Sequence, residues 1–276
     1  MTTALRPLST GELLDRAFSL YRSHFGLFVG IFALPQLVVL ALQFLQVINQ
    51  RSYGRMPNFV ATMLWLVAIR FVSLIMAAAS QAAAVVAVSE LHLDRPASVM
   101  DSFARVKGHL LGVIGISIIV GLGIVVGTAA LFIPGILLAI IWSLSVPAKV
   151  LEDKGPLAAM SRSVDLVKGD WGRIFVVGLL VVVLTYGFRM LVQVPIVIAT
   201  YLSAKAGMRT AVLGWQIASL VGVFVAESLV GAVGTIAFSL VYYDERVRKE
   251  AFDLQHMMST IDASALPPGS PAQVGA

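Results

Sequence analysis

The side chains that come first as candidates for chemistry are four histidines, His24, His92, His109 and His256. A metal-dependent hydrolase needs His, Asp and Glu converging on one cation, with an acid and a base beside it. Here the four histidines fall on separate polar segments. His92 and Asp94 make a His-x-Asp pair, and Glu152-Asp153 stands with no histidine nearby in sequence. Neither spacing makes a metal site. No glycine-rich loop runs into Lys-Ser/Thr, and no G-x-S-x-G elbow is present. The chain has no cysteine, which removes thiolate ligands and disulfides. The expectation is a chain with no catalytic residues, no metal and no cofactor.

Three other charges sit where charge is expensive. Arg70, Arg189 and Glu227 each interrupt a long apolar run. A charge at the centre of a bilayer costs about 2.5–3.5 kcal/mol on insertion scales, so such groups turn inward and find partners. Arg189 and Glu227 are at similar depth on consecutive antiparallel runs, which predicts that they pair. Two uses follow: an ion pair that holds a bundle, with Arg70 snorkelling outward, or a polar cavity for an anionic headgroup or solute.

Those charges need membrane-spanning elements around them, and the composition supplies them. Of 276 residues, 58% are hydrophobic and only 13% charged, with a mean hydropathy of +0.90; soluble domains carry about 25% charged residues. The apolar residues come in blocks of about 20, the length a helix needs to cross a hydrocarbon core. The blocks predict six spans: 26–48, 59–89, two within 110–148, 174–200 and 211–242. The third and fourth share one uncharged stretch, whose turn is placed between Gly127 and Gly135 because Ile133-Pro134-Gly135 breaks it. The first block is too long for the apolar core of a signal peptide and lacks a small-residue cleavage site. Trp65, Trp142, Trp171 and Trp215 lie towards span ends, as interfacial residues do; Trp142 fits this least well. Gly108-x-x-x-Gly112 and Gly123-x-x-x-Gly127 are spacings for close helix contact.

Loop charges give an orientation. One side collects Arg6, Arg16, Arg22, Arg95, Arg105, Lys107, Lys149, Lys154, Arg162, Lys168, Arg173, Arg246, Arg248 and Lys249, whereas the other has Arg51, Arg55, Lys205 and Arg209. The positive-inside rule then puts both termini in the cytoplasm. The net charge of +5 is thereby a matter of topology, with no nucleic-acid partner implied.

The polar segments leading into three of the spans resemble one another. With Phe25, Leu110 and Trp171 superposed, Leu14, Phe18 and Tyr21 fall on Val99, Phe103 and Val106, and on Met160, Val164 and Val167. The spacing i, i+4, i+7, i+11 is one helix face. Arg22, Lys107 and Lys168 coincide, each followed by a turn-like pair. Ser9-x-x-Glu12 is a capping box, and Pro96 and Pro156 suit first helical turns. The unit predicted is an amphipathic helix and then two spans, present three times in parallel (about 9–91, 95–152 and 155–243), with the three basic residues as interfacial lipid contacts. A further cytoplasmic helix is expected over 244–258 and a disordered tail over 259–276.

Three stretches carry a family resemblance: "LSTGELLDRAFSLYRSHFGLFVG", "VLEDKGPLAAMSRSVDLVKGDWGRIF" and "LVYYDERVRKEAFDL". Their Gly-Glu-Leu-Leu-Asp start, Ala-x-x-Arg-Ser entrance and Tyr-Tyr-Asp close resemble the glycerophosphoryl diester phosphodiesterase membrane domain family, which is related to the YciC-like inner-membrane proteins. That resemblance spans nearly the whole chain and implies the membrane module without the catalytic barrel. The expectation is an all-α polytopic bundle of about six membrane helices, over residues 1–258. It is expected to be a non-enzymatic protein of the bacterial inner membrane that contacts lipid and organises it or a partner protein. The alternative is a carrier or scramblase for an anionic lipid or solute; a membrane-bound phosphodiesterase comes third.

Overall fold

The computed structural model describes residues 8–52 and 59–250. In chain order its helices are α1 (Thr10–Ser23), α2 (Phe25–Ser52), α3 (Phe59–His92), α4 (Val99–Val106), α5 (Leu110–Ala130), α6 (Phe132–Ile141), α7 (Ser145–Glu152), α8 (Pro156–Val167), α9 (Trp171–Lys205) and α10 (Arg209–Glu250); no strand occurs among the described residues. Six helical stretches are long and apolar enough to cross a membrane: α2, α3, α5, α6 with α7, α9 and α10. The fold is an all-α polytopic bundle.

Local signals account for most of the boundaries. Ser9 caps α1 in a reciprocal capping box, its hydroxyl accepting from Glu12 N at 3.3 Å while Glu12 accepts from Ser9 N at 2.8 Å. Pro156 begins α8. For α4 the expected start at Pro96 is corrected: the helix begins at Val99, because the Ser98 hydroxyl accepts from Asp101 N at 3.1 Å. Asp94 and Asp153 take left-handed conformations (φ 55° and 47°) just past the ends of α3 and α7, a role Asp tolerates through its short polar side chain.

The three long helices α2, α5 and α9 begin at Phe25, Leu110 and Trp171, each after a short helix. The junctions differ. Residues 107–109 and 168–170 are turns, with Gly169 at φ 99°. Between α1 and α2 there is only His24, and hydrogen bonds continue across it, from His24 N to Leu20 O and from Phe28 N to His24 O, both at 3.2 Å. The first junction is a bend.

The turn between α5 and α6 falls at Leu131, within the expected 127–135 window, and Ile133-Pro134-Gly135 lies inside the first turn of α6, where a proline costs no hydrogen bond. One span expectation is corrected. The fourth span is broken after Ile141 and resumes at Ser145. The helix expected separately from Asp244 onward continues α10 without interruption to Glu250; 251–258 and the expected tail lie outside the described residues.

The hairpins form a ring. α2 packs on α3, α5 on α6 and α9 on α10, while α3 touches α5, α6 touches α9 and α10 touches α2. Each short helix packs on the hairpin before it: α4 on α3 and α2, α8 on α7, α6 and α5, and α1 on α10 and α9, closing the circle. α1 runs lengthwise along α10, since Leu8 N donates to Asp244 Oδ1 at 2.6 Å and the Tyr21 hydroxyl donates to Leu229 O. Those two acceptors are 15 residues apart, about 22 Å of helix. α1 therefore does not lie flat across the end of the bundle.

Burial is uneven along the spans. One end, here called the base, holds Leu13, Ala82–Val88, Leu144, Ala148, Val167 and Tyr242 at 2% exposure or less apart from Val86. Moving away from the base, Val39, Ile69, Gly127, Gly135, Val177 and Ala226 are the last buried residues on their helices among those described. Beyond them no described residue of these helices is buried, and the exposed residues are mostly apolar.

Candidate functional site

Arg189 and Glu227 are paired, Nη1 to Oε1 at 3.0 Å, with side chains 43% and 29% exposed. One turn further from the base, Gln193 Nε2 donates to Ser219 O at 3.1 Å and Ser219 Oγ to Gln193 Oε1 at 2.9 Å. Two polar contacts thus zip α9 to α10 at and beyond Ala226, the last buried residue of α10. Arg70 is exposed and has no hydrogen bond or ion pair among the described residues. It lies 19 residues beyond Ser89, and Glu227 lies 16 beyond Tyr243. The Tyr243 hydroxyl donates to Ser89 Oγ at 2.8 Å, so on these parallel helices Arg70 and Glu227 share a level to within about 5 Å. They are not partners. Arg22, Lys107 and Lys168 are exposed at the last turns or C-caps of α1, α4 and α8, where cations suit the helix dipole.

The denser polar site is at the base, and most of its members were absent from the sequence-level candidates. Arg173 of α9 reaches Asp244 at 2.5 Å and Glu245 at 2.9 Å; these carboxylates are 2% and 0% exposed. Arg248 bonds Asp244 at 2.8 Å. Arg173 and Arg248 both donate to Leu8 O, at 3.1 and 2.6 Å. Oε2 of Glu245 makes no hydrogen bond and has Lys249 Nζ 3.7 Å away. A second cluster centres on Glu152. It accepts from Arg162 at 3.0 Å and from the Tyr242 hydroxyl at 2.6 Å, with Lys154 at 2.7 Å, and Arg162 also pairs with Glu250. Lys249 donates to the last carbonyls of α8, Leu166 O at 2.5 Å and Lys168 O at 2.7 Å. At the edge, the Lys149 hydrogen bond (3.2 Å) and the His109 charge (2.9 Å) hold the exposed Asp153 carboxyl below the usual range. Burial pushes the Tyr21 hydroxyl up.

The histidines remain apart. His24 bonds Ser23 Oγ at 2.9 Å, His92 stacks on Tyr243 at 4.7 Å, and His109 pairs with Asp153. His256 lies outside the described residues, among which no group of three metal-ligating side chains occurs.

The helix break is chemically closed by one residue of α8. Ser163, fully buried, accepts from Leu144 N at 3.1 Å and donates to Ile141 O at 2.7 Å. An unpaired N–H and an unpaired carbonyl inside a membrane protein are costly, and Ser163 satisfies both. Beside the break is a cavity of about 230 Å³ between α3, α5 and α6–α7. Gln81, Ser117 and Trp142 are its polar-capable lining, among Leu74, Ala77 and Val120. It does not include Glu227 or Arg189. The Trp142 ring lies against Gly123, where a Cβ would be 2.4 Å from the indole, so this tryptophan packs inside the bundle and not at a span end.

Sequence signals for the base existed. Glu152, Arg162, Ser163, Arg173, Tyr242 and Asp244 all fall within the quoted family-like stretches. Gln81, the only amide within the run of small residues around it, was not singled out.

Compared with family models, curated proteins and solved structures, the chain matches none. Fold and composition define the class: a multi-pass helical membrane protein.

Proposed function

We propose that the protein is a non-enzymatic module of the bacterial inner membrane that organises lipid or a partner protein, related to the glycerophosphoryl diester phosphodiesterase membrane domain family. The observation that carries this reading is the engagement of the base carboxylates. Glu152, Asp244, Glu245 and Glu250 are each bound to arginine or lysine and join α7, α8, α9 and α10. Carboxylates held this way brace helices; a general acid or base has to be left open to a substrate. The family-like stretches converge on these contacts, which supports the relationship.

Three parallel repeats are part of the same reading. The cyclic order of the hairpins, the common starts at Phe25, Leu110 and Trp171, and the packing of each short helix on the preceding hairpin all support it. The base carries the excess of basic residues, which favours a cytoplasmic base and an external far end. A chain without cysteine allows a direct test. A thiol placed at Ser161 should be shielded from an impermeant reagent in intact cells, and one at Ala204 should react.

The competing reading, a carrier that uses Arg70, Arg189 and Glu227, is separated by reconstitution in vesicles. The module reading expects no hydrolysis of glycerophosphodiesters, and no flux of anionic lipid that depends on Arg189 and Glu227. Either activity, lost in a folded Arg189→Gln/Glu227→Gln variant, overturns it.

A further inference from the structure

The crevice between α3 and α5 has features that the bracing of the base does not use. At 100° per residue, Arg70, Leu74, Ala77 and Gln81 lie within about 60° of one another on α3. The last three line the cavity, so Arg70 continues their stripe outward. Across the cavity Gln81 and Leu74 face Ile116 and Gly121, respectively, of antiparallel α5, which brings Arg70 level with about residues 125–127, a turn short of the end of α5. At its far end α5 turns through Leu131 and Phe132, both 69% exposed and apolar. A guanidinium at this height reaches the headgroup region by snorkelling, and among the described residues no carboxylate neutralises it.

Below Arg70 the crevice is narrow and mostly apolar: Leu74, Ala77, Ala78, Ile116, Val120 and Gly121. Its floor is polar. The Gln81 amide makes no hydrogen bond among the described residues. The Ser117 hydroxyl is buried without a partner, although Ser73, Ser80 and Ser239 bond back to their own helices at 2.7, 3.0 and 2.7 Å. Ser117 and Gln81 together suit one water beneath a chain end.

We propose that this crevice is a binding site for one anionic phospholipid of the outer leaflet, with the phosphate on Arg70 and an acyl chain running down the α3–α5 cavity towards Gln81 and Ser117. The proposal rests on the reading of the protein as a lipid-contacting module and names the lipid and its place. Arginine matches a phosphate with a two-pronged, charge-assisted contact. The length of the stripe, 11 residues or about 16 Å from Arg70 to Gln81, suits a chain descending from the headgroup. Arg189 and Glu227, which neutralise each other on α9 and α10, have no part in it.

The test uses the fluorescence of Trp142 in the full chain, with Trp65, Trp171 and Trp215 replaced by Phe. The protein is placed in phosphatidylcholine vesicles containing rising fractions of chain-brominated phosphatidylglycerol, which quenches tryptophan on contact. Saturable quenching at a low fraction is expected. Arg70→Gln should raise the half-saturating fraction about tenfold or more, the scale of a lost charge-assisted contact, and Arg70→Lys should recover part of it. Gly121→Leu should remove the saturable component. A Cβ at Gly121 meets nothing within 4 Å, so the side chain enters the crevice without moving the backbone. Phosphatidylglycerol retained on the native-tryptophan protein, counted by native mass spectrometry, should fall in Arg70→Gln and Gly121→Leu, so the test does not depend on the tryptophan replacements. Identical quenching curves and retained lipid for all forms, or displacement of quenching by soluble glycerophosphate, would overturn the site. Hydrolysis and flux are separate assays, so the site and the module reading can fail independently.

Discussion

Ion pairs join α9 to α10 at two places, and the two are built differently. At the base, Arg173 meets Asp244 and Glu245, with none of the three side chains more than 14% exposed. Sixteen residues up α9, about 24 Å away, Arg189 meets Glu227 with side chains 43% and 29% exposed. The base pair lies in a network that includes the Leu8 carbonyl and Arg248. The far pair has only the Gln193–Ser219 contact beside it. The same two helices are therefore locked at one end and merely zipped at the other. Burial decides the difference: charges enclosed by protein need every partner, whereas charges at an open surface can rearrange when one is lost.

The largest effect should follow removal of Arg173. Arg173→Ala leaves the buried Glu245 with only Lys249 Nζ, 3.7 Å away, and Asp244 with Arg248 and Leu8 N, and breaking a buried pair typically costs about 3–5 kcal/mol. Thermal unfolding in micelles should show most of the folded protein lost, and a variant as stable as the parent would remove the base from its place as the main lock. Next is Ser163→Ala, which leaves Leu144 N–H and Ile141 O without partners at the α6–α7 break. The expected loss is about 1–3 kcal/mol, read in the same assay. A neutral result would mean the break is satisfied from elsewhere.

Glu227→Gln should matter less, about 1–2 kcal/mol, the scale of polar contacts between membrane helices. Adding Arg189→Gln should restore most of the loss. Failure of the second change to rescue would mean that Arg189 and Glu227 act separately and not as a zip.

The smallest effect concerns pH at the edge of the base. The folded state holds the Asp153 carboxyl below its ordinary value, which for Asp is about 3.9. Its contribution is therefore present above that value and is lost as the pH falls through the lower folded one. Parent and Asp153→Asn should converge in stability below about pH 4 and differ slightly above it. A difference that grows on acidification would have the wrong sign.

Much of this architecture is readable from residues. Apolar block length predicts the spans, and helix-face spacing predicts the starts at Phe25, Leu110 and Trp171. Equal depth on consecutive helices predicts the Arg189–Glu227 pair. What escapes is set by contacts between distant segments. The 142–144 break has one local mark, Pro147 in the first turn of α7, but its exact place depends on Ser163, on another helix, which satisfies its backbone. Glu245 looks like one of several charges on a solvated helix until Arg173 and the first helix cover it. The lengthwise course of α1 depends on Leu229 and Asp244, more than 200 residues away. Periodicity describes one helix at a time, and these features belong to pairs.

The most direct measurement is a pair of double-mutant cycles in one chain and one membrane mimic, Arg173 with Glu245 and Arg189 with Glu227, each replaced by glutamine singly and together. Cycles isolate the coupling from the cost of each substitution. A base locked by enclosed charge predicts a coupling for Arg173–Glu245 several times that for Arg189–Glu227. Equal couplings, or a larger one at the far pair, would contradict the division of this bundle into a locked base and zipped hairpins.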